Sequence, residues 1–146
     1  MYSSRMPADR KLEQLSHVQL FSSLNQKELR LISKSADVVK VNAGTEIVTE
    51  GKSGHEFYLV REGEATVRRG GRKTTSLGPG SYFGEMALLD GGPRSATVVA
   101  ATDMELIVIG RREFLGVLDE IPSVSHKLLV SMAARLRAAD ARSVSH

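Results

Sequence analysis

The chain has no cysteine and no tryptophan, only four prolines, and aromatic residues fill just 5% of its 146 positions. Without thiols there can be neither disulfides nor thiolate metal sites, so the fold must rest on its own core, and a reducing cytosol is compatible. Long apolar runs are missing as well. None approaches the roughly 20 residues that a membrane helix needs, and the opening MYSSRMPADRK lacks the apolar stretch of a signal peptide. The expectation is a soluble, cytoplasmic protein with no membrane partner. Charge of one sign is also scarce: 20 basic and 17 acidic residues leave +3, too little to argue for nucleic acid. Catalytic signatures are absent too. His17, His55, His126 and His146 are scattered, with no HxH or HExxH, no G-x-S-x-G, and no GK[ST] ending a glycine-rich loop. We therefore expect no metal, no catalytic residue and no enzyme.

What the chain does have is thirteen glycines and a texture that changes along its length. Residues 1–9 are expected to form a polar tail. From Arg10 to Ala36 apolar residues fall at helical spacing: Leu12 and Leu15, Phe21 and Leu24, then Leu29, Ile32 and Ala36. Asn25, with Glu28 three residues on, has the make-up of a helix N-cap. After Asp37 the runs VVKV, TEIVTE, EFYLVRE, GEATVRRG, KTTSLG, SATVVAA and ELIVIG are short and β-branched. Val39 and Val41 alternate with polar neighbours. Gly44, Gly51, Gly54, Gly63, Gly70, Gly71, Gly78 and Gly80 fall between the runs, where turns need positive φ. Strands this closely spaced, with no helix between them, predict a sandwich or barrel rather than a parallel α/β sheet. Helical spacing returns at Arg111 with Phe114, Leu115 and Leu118. Pro122 then breaks the chain and opens a second helix carrying Leu128, Leu129, Met132 and Leu136. The predicted architecture is mainly β with flanking helices. An eight-stranded antiparallel, jelly-roll-like β-roll spans 37–110, N-terminal helices span 10–36, and two C-terminal helices span 111–141. Tails at 1–9 and 142–146 flank this single domain.

One segment stands out chemically: FGEMALLDGGPRSAT, Phe83 to Thr97. It places Glu85 and Arg94 among residues that otherwise suit burial, and buried charges are costly without partners. Glu85 to Leu89 favours a single helical turn, and Gly84 before it permits close backbone approach. A helix start presents unpaired N–H groups, which suit phosphate. Gly91-Gly92 reverses the chain, Pro93 stiffens the return, and Arg94 comes back with a guanidinium able to clamp two phosphate oxygens. Ser95 adds a hydroxyl, and ionised Glu85 can accept from a sugar hydroxyl. The alternative is a Glu85–Arg94 ion pair that merely closes the loop.

FGEMALLDGGPRSATVVA resembles the phosphate-binding cassette of the cyclic nucleotide-binding domain family, which includes kinase regulatory subunits, cyclic-nucleotide-gated channels and bacterial catabolite activators. GTEIVTEGKSGHEFYLVREGEATV is similar to the family's earlier strands, and the likeness runs from about Leu15 to Arg137. The resemblance implies a domain that binds a cyclic nucleotide in signal transduction and repositions its C-terminal helices. Glu85 would accept the ribose 2′-OH and Arg94 would hold the cyclic phosphate. Backbone N–H groups near Gly84, Ala87 and Ser95 would cradle the same anion, with Ala96 beside them and Phe83 and Met86 lining the wall. The residue after the cassette arginine, here Ser95, can in this family reach a guanine amino group, which leaves cyclic GMP open. The bacterial style of the remainder favours cyclic AMP. SMAARLRAAD, Ser131 to Asp140, resembles the dimer helix of the bacterial activators. It implies a homodimer and puts Arg135 where a basic residue pairs with the ribose-binding glutamate. Leu129, Met132 and Leu136 packing on the barrel is the alternative use of this helix. A Thr-Ser pair that contacts adenine in that protein is replaced by Ala139-Asp140. Only six residues follow Asp140, too few for a helix-turn-helix. Direct DNA binding is therefore not expected, and an effector protein in trans is the implied partner. The second reading is a transcriptional regulator of the catabolite-activator type that lacks its DNA reader or is truncated before it.

Overall fold

The structure, a computed structural model, describes residues 8–18 and 21–144. Two helices come first, α1 (Ala8–Ser16) and α2 (Gln26–Lys34), followed by β1 (Ala36–Val41), β2 (Glu46–Val48), β3 (Glu56–Glu62), β4 (Ala65–Arg69), β5 (Arg72–Leu77) and β6 (Tyr82–Phe83). A short helix α3 (Glu85–Asp90) interrupts the strands, which resume as β7 (Thr97–Ala100) and β8 (Met104–Gly110) before α4 (Arg111–Glu120) and α5 (Pro122–Val144). The strands form two four-stranded sheets, ordered β1-β8-β3-β6 and β2-β7-β4-β5, with antiparallel pairing throughout. The chain has the expected mainly β architecture with flanking helices.

β3 and β8 lie at the centre because both of their faces are buried, which explains their nearly continuous apolar runs. Alternation sends Val60, Met104 and Leu106 into the interior between the sheets, where they meet Val48, Ala65, Val98 and Ala100. Phe57, Leu59, Ile107 and Ile109 point the other way, into a larger core roofed by helices. There Phe21, Phe57 and Phe114 are fully enclosed, with Phe21 set edge-on to Phe57 at 5.8 Å. Each such side chain contributes roughly 1.5–3 kcal/mol on burial. Leu88 of α3 joins this core with no exposed surface, alongside Phe114 of α4 and Val124 and Leu128 of α5. The helix that starts the candidate site is thereby packed against the C-terminal helices.

Asn25 caps α2 as expected: its Oδ1 accepts from the Glu28 N–H and Glu28 Oε1 accepts from the Asn25 N–H, both at 2.9 Å. Glu28 does more than close the cap. It is 4% exposed and also accepts from Ser123 Oγ at 2.6 Å and Lys127 Nζ at 2.8 Å, tying α2 to α5. The Lys127 and Ser123 hydrogen bonds hold its carboxyl down at about 2, against the opposite pull of burial.

Several expectations need adjustment. α1 begins at Ala8, inside the stretch assigned to a tail, and α5 continues past Ala141 to Val144. Residues 1–7 of that tail, and 145–146 at the other end, lie outside the described residues. Ala36 fits the helical stripe, yet it starts β1 and pairs with Ile109, because Ser35 already caps α2. On β1 Val38 packs on the helix-roofed core and Val41 on the core between the sheets, whereas Val39 is 39% exposed. β6 is only two residues long and has no run of its own in the sequence. Gly44, Gly51, Gly63, Gly70, Gly71 and Gly80 do take positive φ, but Gly54 and Gly78 do not. A Cβ on Gly54 would collide with the buried Arg94 side chain, whereas one on Gly78 would meet only the movable end of the exposed Glu64 side chain.

Candidate functional site

Gly84 has φ +84°, and a Cβ there would fall 2.5 Å from Arg94 Nη1 and 2.7 Å from the Glu56 carbonyl oxygen. Only glycine permits both that conformation and that closeness. α3 starts immediately after it, with Glu85 as its first residue. The chain reverses at Gly91 and is fastened to the turn before β3. Gly54 N–H donates to the Gly92 carbonyl at 2.9 Å, Arg94 N–H to the Lys52 carbonyl at 2.8 Å, and Gly51 N–H to the Arg94 carbonyl at 2.9 Å. Ser53 and Pro93 form a bridge in the same ladder. This short zipper fixes the Arg94 backbone before its side chain makes any contact.

The Arg94 side chain is 8% exposed. Its Nη2 donates to the Glu56 carbonyl at 2.9 Å and stands 3.9 Å from Glu56 Oε1. Its Cζ is 5.8 Å from the centre of the Tyr58 ring, and that ring stacks on Phe83 at 4.9 Å. Nη1 is buried and, among the described residues, has no hydrogen-bond partner. A buried unsatisfied donor on a cation is expensive. Burial pushes the Tyr58 hydroxyl up from its ordinary value, with the Glu56 charge adding to the effect and the Arg94 charge opposing it. Tyr58 therefore stays neutral and donates toward Glu56 Oε1 at 3.4 Å.

No Glu85–Arg94 ion pair forms, so the loop-closing alternative does not describe this segment. Glu85 turns instead to α5, where Arg135 Nη2 donates to its Oε2 at 3.2 Å. Between Arg94 and Glu85 opens a cavity of about 490 Å³, the size of sites that hold small organic ligands. Its polar end is made by Gly84, Glu85, Arg94 and Ser95, and its walls by apolar residues such as Val48, Val67, Leu77 and Val98. An anion at the polar end and a flat apolar ring against the walls would both be accommodated.

Of the residues expected from the sequence, Phe83, Gly84, Glu85, Arg94, Ser95 and Ala96 all line this cavity. Arg135 lies outside the lining and reaches it through Glu85. The side chains of Met86 and Ala87 lie outside the described residues. Sequence reasoning passed over Gly54, Glu56 and Tyr58, which hold Arg94, and Arg69, whose side chain lines the cavity and whose Nε donates to the Ser95 carbonyl at 3.1 Å. Glu56 acts through its main-chain carbonyl, for which no residue type is a signal. Arg69 sits within VRRGGRK, which has the sequence of an exposed hairpin tip and is one. Leu129 and Leu136 do not pack on the roll, being 69% and 66% exposed; Leu128, Met132 and Val124 make the contacts from α5 instead.

Residues 38–120 match the family model of the cyclic nucleotide-binding domain. The chain belongs to the cyclic nucleotide-binding domain family. It is 38% identical over 115 residues to the cAMP-dependent protein kinase regulatory subunit of Aspergillus niger, covering 77% of this chain and 28% of the relative. With the cyclic AMP receptor protein of Thermus thermophilus it shares 43% identity over 102 residues, 66% of this chain and 47% of that one. The chain thus spans less than half the length of these relatives. Among solved structures, the N-terminal domain of a transcriptional regulator from Streptomyces coelicolor superposes with a TM-score of 0.83 at 28% identity, covering 90% of this chain and 96% of that chain. Among the described residues no helix is long and apolar enough to cross a membrane.

Proposed function

We propose that the cavity takes a cyclic nucleotide, cyclic AMP in the first place, and that the domain acts as a regulatory module. The observation that carries this reading is the Arg94 guanidinium: buried, held from behind by the Glu56 carbonyl, and left with one unsatisfied nitrogen beside the start of α3. A singly charged cyclic phosphate supplies the missing acceptor and suits a helix start that offers free N–H groups. In this reading Arg94 holds the phosphate, and main-chain N–H groups at Gly84, Ala87 and Ser95 cradle it. Ala96 lies beside them, and Phe83 forms part of the wall. Glu85 accepts the ribose 2′-OH through the oxygen that Arg135 leaves open. The names of the kinase subunit and receptor protein relatives support cyclic AMP as the ligand.

Glu85 links the ligand to α5 through Arg135, and Leu88 links α3 to α4 and α5 through the core. Tightening of α3 on the phosphate therefore gives the nucleotide a different affinity for two positions of the C-terminal helices, the condition for any ligand-driven shift. The exposed Leu129, Val130 and Leu136 favour a second role for α5 as a contact between two copies. That arrangement suits a regulator of the catabolite-activator type, and an effector protein in trans is the alternative receiver. Titration calorimetry with cyclic AMP, cyclic GMP and 5′-AMP tests the reading. Binding of a cyclic nucleotide with rejection of 5′-AMP is expected; no heat with either cyclic nucleotide at millimolar concentration would reject it.

A further inference from the structure

VRRGGRK forms the tip of the β4–β5 hairpin, and its charges are placed against one another. Gly70 and Gly71 turn the chain with φ of +62° and +80°, the pattern of a two-residue type I′ turn. That turn sets Arg69 opposite Arg72 and Arg68 opposite Lys73, before a bulge that separates Arg68 from Val67. Like charges directly opposed across two strands are destabilising, and no acid lies between Ala65 and Leu77 to relieve them. Glu50 reaches the tip, but its Oε1 accepts from the Gly70 N–H at 3.0 Å.

Strand alternation decides where this charge goes. Val67 and Arg69 share one face of β4, and both line the cavity with Thr75 and Leu77 of β5. Arg69 is exposed, so it stands at the mouth, whereas Arg94 lies buried inside. Its Nε donates to the carbonyl of Ser95, the residue that follows Arg94. Among the described residues its guanidinium makes no other hydrogen bond or ion pair.

We infer that Arg69 is a second anion-binding residue of this site. It draws the phosphodiester in at the mouth, with its guanidinium anchored there by the Ser95 carbonyl. The inference rests on the proposal that the cavity takes a cyclic nucleotide. A guanidinium at a rim acts chiefly on association and its salt dependence, while a buried one acts on dissociation. It also acts on charge alone, so both cyclic nucleotides should feel it equally.

Stopped-flow association and equilibrium titration of wild type, R69A, R69K and R94A, each with cyclic AMP and cyclic GMP at low and high salt, test this. R69A is expected to slow association roughly three- to tenfold at low salt, with the gap shrinking as salt screens the charge. R69K keeps the charge and should recover most of the association rate. R94A should mainly hasten release. Thermal melting matched to wild type excludes a folding defect in the exposed hairpin. An R69A association rate equal to wild type at low salt overturns the inference. So does a changed preference between the two nucleotides, which would mean a contact with the base. Failure of the wild type to bind either nucleotide removes the underlying reading, a result distinct from an unaltered R69A.

Discussion

Glu85 and Arg135 stand fifty residues apart in the chain and meet side chain to side chain at 3.2 Å. One begins the helix at the cavity; the other lies on the last helix of the molecule. The contact gives α5 a direct connection to the group proposed to accept the ribose hydroxyl, without passing through the core.

Arg135→Ala should therefore separate stability from coupling. The two side chains are 31% and 20% exposed, so solvent screening limits the pair to less than about 1 kcal/mol of stability. Hydrogen exchange should show ligand-induced protection of α5 in the wild type and its loss in the variant. Undiminished protection would show that the message travels elsewhere.

Arg94→Ala is expected to cost roughly 2–5 kcal/mol of nucleotide binding, since it removes the charge facing the phosphate from a desolvated position. At 1.4 kcal/mol per decade that is on the order of thirtyfold to several thousandfold by calorimetry. Lysine should recover only part of it, because the hold of the Glu56 carbonyl on Nη2 depends on a forked group. Unchanged affinity in the alanine variant is the adverse result.

Two glycines should fail differently when replaced by alanine. At Gly54 φ is not positive, and the new Cβ would strike the Arg94 side chain 2.3 Å from Nε. The guanidinium must move, so affinity should fall more than stability. At Gly84 the Cβ would sit in a left-handed conformation 2.7 Å from the Glu56 carbonyl. Neither can yield cheaply, so Gly84→Ala should lower stability by about 1–3 kcal/mol. Thermal melts alongside ligand titrations distinguish the two; equal melting losses would contradict the steric account.

Glu28 gives the chain an acid dependence with a definite sign. Its carboxyl is held at about 2, below the ordinary 4.5, so its stabilisation is complete above about pH 4.5 and disappears as pH falls toward about 2. Glu28→Gln should destabilise on the order of 3 kcal/mol at neutral pH and progressively less in acid. Urea unfolding from pH 6 down to about 2 measures the convergence. A gap that stays constant with pH would mean that lost packing, not lost charge, is responsible.

Much of the fold was legible. Asn25 with Glu28, Pro122 at the head of α5, and the β-branched runs all act through nearby backbone, and each does what its spacing suggests. Boundaries were less legible where one residue suits two elements, as Ala36 does: its small apolar side chain fits a helix stripe and a strand end equally. β6 could not be seen at all, because two residues have no period. In the site, the segment 83–97 marked its own residues through unusual charges among apolar neighbours. The other half, Gly54, Glu56, Tyr58 and Arg69, comes from segments that look like ordinary turns and strands.

The sequence alone settled the local matters: which stretches extend, which coil, where the chain turns, and that Glu85 and Arg94 require partners. Those follow from backbone sterics and side-chain period within a few residues. Only the tertiary structure decided who the partners are. It turned Arg94 away from Glu85 and onto a main-chain carbonyl, brought Arg135 to Glu85, and set Arg69 at the mouth of the cavity. The reason is physical. Contacts between distant segments depend on strand register and helix packing summed over the whole roll, and no single stretch of chain contains that sum.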